Sequence, residues 1–250
     1  MRAETVRITG AGGDKIEAYL AQPLGDDGPW GGVVVIHHMP GYDEATKEMT
    51  RRFAAHRYIA VCPNLYSREH DGRQPEEIVA GVRASGGVPD DRLVGDVGGA
   101  VEFLRSIPSC NGKVATIGNC SGGRQSFLAA CRLKLDAAID CYGGYVVTPP
   151  PSDSPLKWGS IVHLAKDLSC PLLGLFGSQD PMPNPEETAR LAKALDSAGK
   201  AHEFHTFDNA GHAFFAVDRP TYRPEAATDG WKKVWDFLDR HLVTQETSHR

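Results

Sequence analysis

A cysteine stands among glycines in the stretch Gly118-Asn119-Cys120-Ser121-Gly122-Gly123. The residues before it, KVATIG, read as a buried strand, and Ser121 to Leu133 reads as a helix. A nucleophile on such a turn is held at a strained backbone angle and exposed at the carboxyl edge of a sheet. The positions two before and two after it crowd the turn, which gives Gly118 and Gly122 a steric reason to lack side chains. The helix N-terminus favours a thiolate. The Ser121 amide points at any oxygen that attack by sulfur creates. Taken alone, the pattern also fits a glycine-rich turn that packs a helix close to a sheet. A phosphate-binding loop fits less well, because neither a Gly-Lys-Ser/Thr ending nor Gly-x-Gly-x-x-Gly spacing is present.

An elbow nucleophile needs a base, and the base needs an orienting acid. Asp180 follows the apolar run PLLGLFG, and His212 lies in a Gly-His turn beyond the run AHEFHTFD. Cys120, Asp180 and His212 thus follow the chain order nucleophile, acid, base of α/β-hydrolases. Asp180 also precedes Pro181, where aspartate commonly opens a turn. Asp208 is a rival acid, but it lies too close to His212 in sequence to reach round the ring. A second oxyanion donor is expected from the loop after the first parallel strand, VVVIHHMPG, where the Met39 amide would partner that of Ser121. Metal chemistry is not expected. His37 and His38 are adjacent and point to opposite faces of a strand, and no Cys/His cluster has ligand spacing.

These residues need a sheet edge to bring them together. Glu4–Thr9 and Lys15–Gln22 alternate like paired antiparallel strands. Gly31–His38 is a continuous apolar run of the kind buried on both faces of a parallel sheet. Asp43–Arg57 reads as a helix, Tyr58–Pro63 as a strand, and Asp90–Ile107 as a helix. After the elbow come strands at DAAIDCYG and CPLLGLFG, a helix from Asn184 to Gly199, and the strand AHEFHTFD. An amphipathic closing helix spans Ala227–Leu242, with Trp231, Val234, Trp235 and Leu238 on one face. This alternation predicts an α/β fold over residues 1–250: one domain with a mostly parallel sheet, an antiparallel N-terminal edge and helices on both faces. Val147–Pro155 and Glu69–Glu77 read as loops that border a site.

The chain has 250 residues, 41% hydrophobic and 24% charged, which suits one soluble globular domain with a sizeable core. A net charge of -5 gives no basic surface for nucleic acid or acidic lipid. No run reaches the roughly 18 apolar residues of a membrane span, and the first twenty residues hold no apolar signal core. A cytoplasmic protein is the expectation. The six cysteines, Cys62, Cys110, Cys120, Cys131, Cys141 and Cys170, form no Cys-x-x-Cys pair. All but Cys120 read as small buried hydrophobes.

The stretches NGKVATIGNCSGG, LYSRE, GLFGSQDPMPNP and AGHAF resemble the dienelactone hydrolase (carboxymethylenebutenolidase) family of the α/β-hydrolase fold. The resemblance runs over nearly the whole chain. It implies hydrolysis of an enol-lactone through a cysteine acyl-enzyme, without cofactor or metal. In well-known members the product is maleylacetate, on a catabolic route for aromatic compounds. By the same resemblance Arg68 binds the substrate carboxylate. Two positions depart from the family. His38 stands where a glutamate helps activate the cysteine, and so becomes a candidate thiol or substrate contact. Ala216 stands where a second carboxylate-binding arginine is expected, with Arg219 close by.

The reading is therefore a cysteine-dependent hydrolase of a small lactone or ester, with a broader carboxylesterase or thioesterase as the alternative. A non-catalytic binding protein of the same fold is a third reading, which the set of nucleophile, acid and base argues against. The sequence does not fix the oligomeric state.

Overall fold

The computed structural model describes residues 1–25, 28–39, 41–69 and 72–243. Among them, eight strands form one sheet in the order β1-β2-β4-β3-β5-β6-β7-β8. These are β1 (Arg2–Thr9), β2 (Lys15–Gln22), β3 (Trp30–Ile36), β4 (Ile59–Pro63), β5 (Cys110–Asn119), β6 (Ala137–Cys141), β7 (Leu172–Gly177) and β8 (His202–Phe207). β1 pairs antiparallel with β2, and β2 antiparallel with β4; every pairing from β4 through β8 is parallel. This is the mostly parallel α/β-hydrolase sheet with the antiparallel edge that the sequence predicts.

Six α-helices cover it: α1 (Glu44–Ala55), α2 (Pro75–Ala84), α3 (Asp90–Ser106), α4 (Ser121–Arg132), α5 (Pro185–Ser197) and α6 (Pro224–Leu242). The burial of β3 on both faces explains its unbroken apolar run. Val34 and Ile36 join a core shared with Leu93, Val97 and Leu104 of α3 and Phe127 of α4. Val33 and Val35 face the opposite way, into a core shared with Phe53 of α1 and Val234, Phe237 and Leu238 of α6. Successive strand residues point to opposite faces, so one strand feeds both cores.

One element departs from the sequence reading. The stretch Glu69–Glu77 is not all loop, because α2 begins at Pro75; His70 and Asp71 lie outside the described residues. Proline at the first helical position and the Glu77 carboxylate accepting the Gln74 amide at 3.1 Å start this helix. Among the described residues no helix is long and apolar enough to cross a membrane.

Candidate active site

The strand-to-helix turn is as tight as its glycines require. Cys120 sits at φ 55°, ψ −122°, a region costly for any side chain. A Cβ on Gly118 would fall 2.0 Å from the Gly122 carbonyl oxygen, and one on Gly122 would fall 2.3 Å from that of Ile36. β5, α4 and β3 can approach this closely only with glycine at both positions. The end of β6 braces the turn, because the Cys120 amide donates to the Cys141 carbonyl at 3.0 Å.

Asp180 and His212 reach this turn from loops after β7 and β8. His212 Nδ1 lies 2.9 Å from Asp180 Oδ2, and the other carboxylate oxygen accepts the Met182 amide at 2.8 Å. Asp180 is buried and held on both oxygens. The Cys120 thiol stands in the same cleft, close enough to act on the imidazole. Burial alone would lower the pKa of His212, but the bond to Asp180 and the nearby Cys120 outweigh it and push the imidazole up to about 10. Asp208 is exposed on the strand's end and has no bond to His212.

The loop after β3 brings the next pair. His37 turns inward and accepts the Leu65 amide at Nε2, 3.1 Å, while its Nδ1 meets the His38 carbonyl at 3.0 Å. Burial lowers it to about 4, so it is a neutral structural imidazole. His38 turns the other way, into the cleft. Its Nε2 faces Asp43 Oδ2 at 3.6 Å and Arg219 Nη2 at 3.5 Å. Burial, the largest influence, lowers its pKa, and Nε2 of the neutral ring can accept from the guanidinium. The Met39 amide donates to the Ser121 hydroxyl at 2.9 Å, which ties this loop to the first turn of α4.

Cys120, His212, His38 and Met39 line one cleft. Its walls come from residues that sequence reasoning did not assign to a site: Met49 and Arg52 of α1, Tyr142 after β6, Phe215, and Trp231 of α6. Tyr142 is buried at φ 44° and meets His212 edge-to-face, with ring centroids 5.2 Å apart. Ala213, next to His212, has φ 62°. Cys120, Tyr142 and Ala213 therefore concentrate left-handed backbone at a single cleft. The aromatic residue before Gly143-Gly144 at a strand end is the one sequence signal that marks Tyr142. Trp231 is legible as part of the buried face of α6, but nothing in the sequence says that this face also walls a cleft.

The sequence model of the dienelactone hydrolase family matches residues 16–242. The chain belongs to the dienelactone hydrolase family. It is 33% identical over 237 residues to a "Putative carboxymethylenebutenolidase" of Escherichia coli strain K12, covering 92% of this chain and 84% of that protein. A protein of the same name from Methylorubrum extorquens AM1 is 34% identical over 233 residues, covering 91% of this chain and 78% of the other. The solved structure of a "Putative Dienelactone Hydrolase" from Klebsiella pneumoniae superposes with a TM-score of 0.84 at 28% identity, over 96% of this chain and 99% of that one. This dienelactone hydrolase relative is thus a hydrolase acting on ester bonds.

Arg68 lies apart from the cleft. It is not among the residues lining the cleft. Its guanidinium is bidentate to Asp96, at 2.8 and 3.0 Å, and also donates to Asp14 Oδ2 at 2.7 Å and the Ala11 carbonyl at 3.1 Å. The Asp96 side chain is fully buried in α3 and also accepts the Ala11 amide at 2.8 Å. Arg68 neutralises that buried carboxylate and staples the β1–β2 turn to α3, which leaves no fork free for substrate. The two loops expected to border the site do not line this cleft either. Thr148, Pro149 and Pro151 edge a separate depression beside the Asp180 loop, and Arg73, Pro75 and Glu76 edge another near Tyr42.

Proposed function

We propose that this dienelactone hydrolase family member opens a lactone or ester through a thioester on Cys120. The observation that carries the reading is the Asp180–His212 hydrogen bond at 2.9 Å, with that imidazole in the same cleft as Cys120 at the elbow. His212 holds its Nδ1 proton on Asp180 and turns Nε2 toward sulfur. His212 takes the proton of the Cys120 thiol as general base, or the two rest as an ion pair.

The thiolate attacks the carbonyl carbon and a C–S bond forms. The negative oxygen is held by the Met39 and Ser121 amides. Collapse breaks the carbonyl carbon–oxygen bond, and the departing enolate or alkoxide takes the Nε2 proton. Water then gives a proton to His212 and attacks the thioester. The sulfur leaves as thiolate and the carboxylic acid product departs. A stabilised enolate is a good leaving group, which suits an enol-lactone such as dienelactone, with a maleylacetate-type product. Substrate recognition falls to His38 and Arg219 at the cleft mouth. Arg219 lies three residues beyond Ala216, the loop position the family arginine occupies, within reach of His38, and stands in for the absent fork.

A wider carboxylesterase or thioesterase range is the second reading. Its support is the commitment of Arg68 to Asp96, which leaves the cleft without one of the family's carboxylate anchors. Assays of cis- and trans-dienelactone beside p-nitrophenyl esters separate the two. Lactone opening with kcat/KM well above that of the simple esters supports the first; preference for the esters supports the second. In both cases Cys120→Ala should lower turnover about a thousandfold or more with the fold intact. Full activity in that variant contradicts the proposal.

A further inference from the structure

The cleft does not stop at the catalytic rim. Ala45, Glu48, Met49 and Arg52 all line it, and their spacing marks a single face of α1. α1 starts just after β3 and runs back along the sheet, so successive turns lie progressively farther from the rim. Seven residues separate Ala45 from Arg52, about 10 Å along the helix axis at 1.5 Å per residue. The opposing wall is Trp231 of α6, packed against Phe215 with centroids 5.4 Å apart. The cleft is therefore a trench between α1 and α6, with an apolar and aromatic middle.

At its far end the Arg52 guanidinium carbon lies 4.7 Å from the centre of the Trp231 ring. A guanidinium stacked this way keeps its in-plane N–H groups free for a forked acceptor. Among the described residues no carboxylate pairs with Arg52. Glu48, the acidic residue on the same face, is held by Arg51 Nε at 2.9 Å. Arg51 is further committed to the Tyr19 hydroxyl at 2.6 Å. An unpaired cation at the far, solvent-exposed end of an apolar trench recognises an anion carried on an apolar body.

We propose that Arg52, stacked on Trp231, is a specificity residue that selects substrates whose acyl part is apolar, long enough to run along the trench, and ends in a carboxylate. This rests on Cys120 being the nucleophile of the same cleft. Arg52 does not touch the reacting atoms. Its effect lies in KM and depends on the charge and length of the acyl chain.

The probes are mono-p-nitrophenyl esters of succinate, adipate and suberate, each beside the neutral p-nitrophenyl ester of equal chain length. The wild-type protein should prefer the acidic over the neutral ester at the suberate length and lose that preference at succinate. Arg52→Gln should raise KM for the suberate monoester about tenfold with kcat unchanged. It should alter KM for the neutral octanoate ester less than twofold. Arg52→Lys keeps the charge but not the fork and should fall between the two. Equal effects of Arg52→Gln on acidic and neutral esters would assign Arg52 to packing and overturn the inference. So would the absence of any acidic preference in the wild type. Failure of the nucleophile assignment reads out separately, as turnover of both ester types by Cys120→Ala.

Discussion

The Met39 amide donates its hydrogen to the Ser121 hydroxyl across 2.9 Å, so one of the two amides assigned to the oxyanion already has an acceptor. An oxyanion must displace that acceptor, at the net worth of about one hydrogen bond. Ser121→Ala removes the competitor and keeps both amides. The expected result is a rise in kcat of about 2- to 10-fold with little change in KM. Steady-state kinetics on a p-nitrophenyl ester checks this. A fall in kcat means that the hydroxyl supports the hole rather than covering it.

Arg68 should matter for stability and not for substrate. Arg68→Met leaves the fully buried Asp96 carboxylate without its cation, a loss on the order of 3 kcal/mol. Denaturant unfolding should show that loss while KM for acidic and neutral esters stays within twofold. A large rise in KM with unchanged stability would return Arg68 to the substrate.

Thiol chemistry separates Cys120 from the rest. Burial pushes the thiols of Cys62, Cys110, Cys131, Cys141 and Cys170 up, whereas Cys120 shares its cleft with His212, an imidazole that favours its charged form. Iodoacetamide at pH 6 should add one equivalent, at Cys120, with activity lost in step. His212→Gln should slow that labelling at least tenfold. Peptide mapping that finds uniform, slow alkylation of several cysteines would count against the thiolate–imidazolium pair.

Asp140 predicts a pH effect on folding. It is fully buried in β6. One oxygen accepts the Gly143 amide at 2.7 Å, and the other has no hydrogen-bond partner among the described residues. Burial raises its carboxyl from 3.8 to about 7, against the opposing pull of the Gly143 amide. The folded chain therefore keeps this proton after the unfolded chain has lost it. The group's favourable contribution is complete below pH ~4, declines as pH rises toward ~7, and is gone above that. The full difference is on the order of 4 kcal/mol. Asp140→Asn keeps an acceptor for Gly143 and has no proton to lose. Relative to wild type it should gain stability between pH 4 and 7, read by unfolding midpoints across that range. Parallel pH profiles would refute it.

The fold was legible because its signals are local and repeated. Each buried strand is an apolar run, each long helix carries its apolar face, and α1 and α5 also carry side-chain caps. α2 was missed because Glu69–Glu77 is dominated by charge, glycine and proline, although Pro75 and the Gln74–Glu77 pair are recognisable start signals. The meeting of Cys120, Asp180 and His212 followed from three strand ends in a known order. The cleft walls did not follow, because Met49, Tyr142, Phe215 and Trp231 come from four separate segments that only packing unites. Arg68 shows the limit of a local motif. LYSRE gives its position, in a turn after β4, but its partner Asp96 lies 28 residues on in α3.

The backbone, rather than the side chain, holds residue 120 in place: the glycines at 118 and 122 leave the chain one path through the elbow. The side chain at 120 is therefore the sterically open part of the elbow. A one-atom exchange of sulfur for oxygen would leave the surrounding carbonyls undisturbed, whereas adding a single methyl at either glycine would dismantle the turn. Substitution on this scaffold is open at position 120 and closed two residues to either side of it.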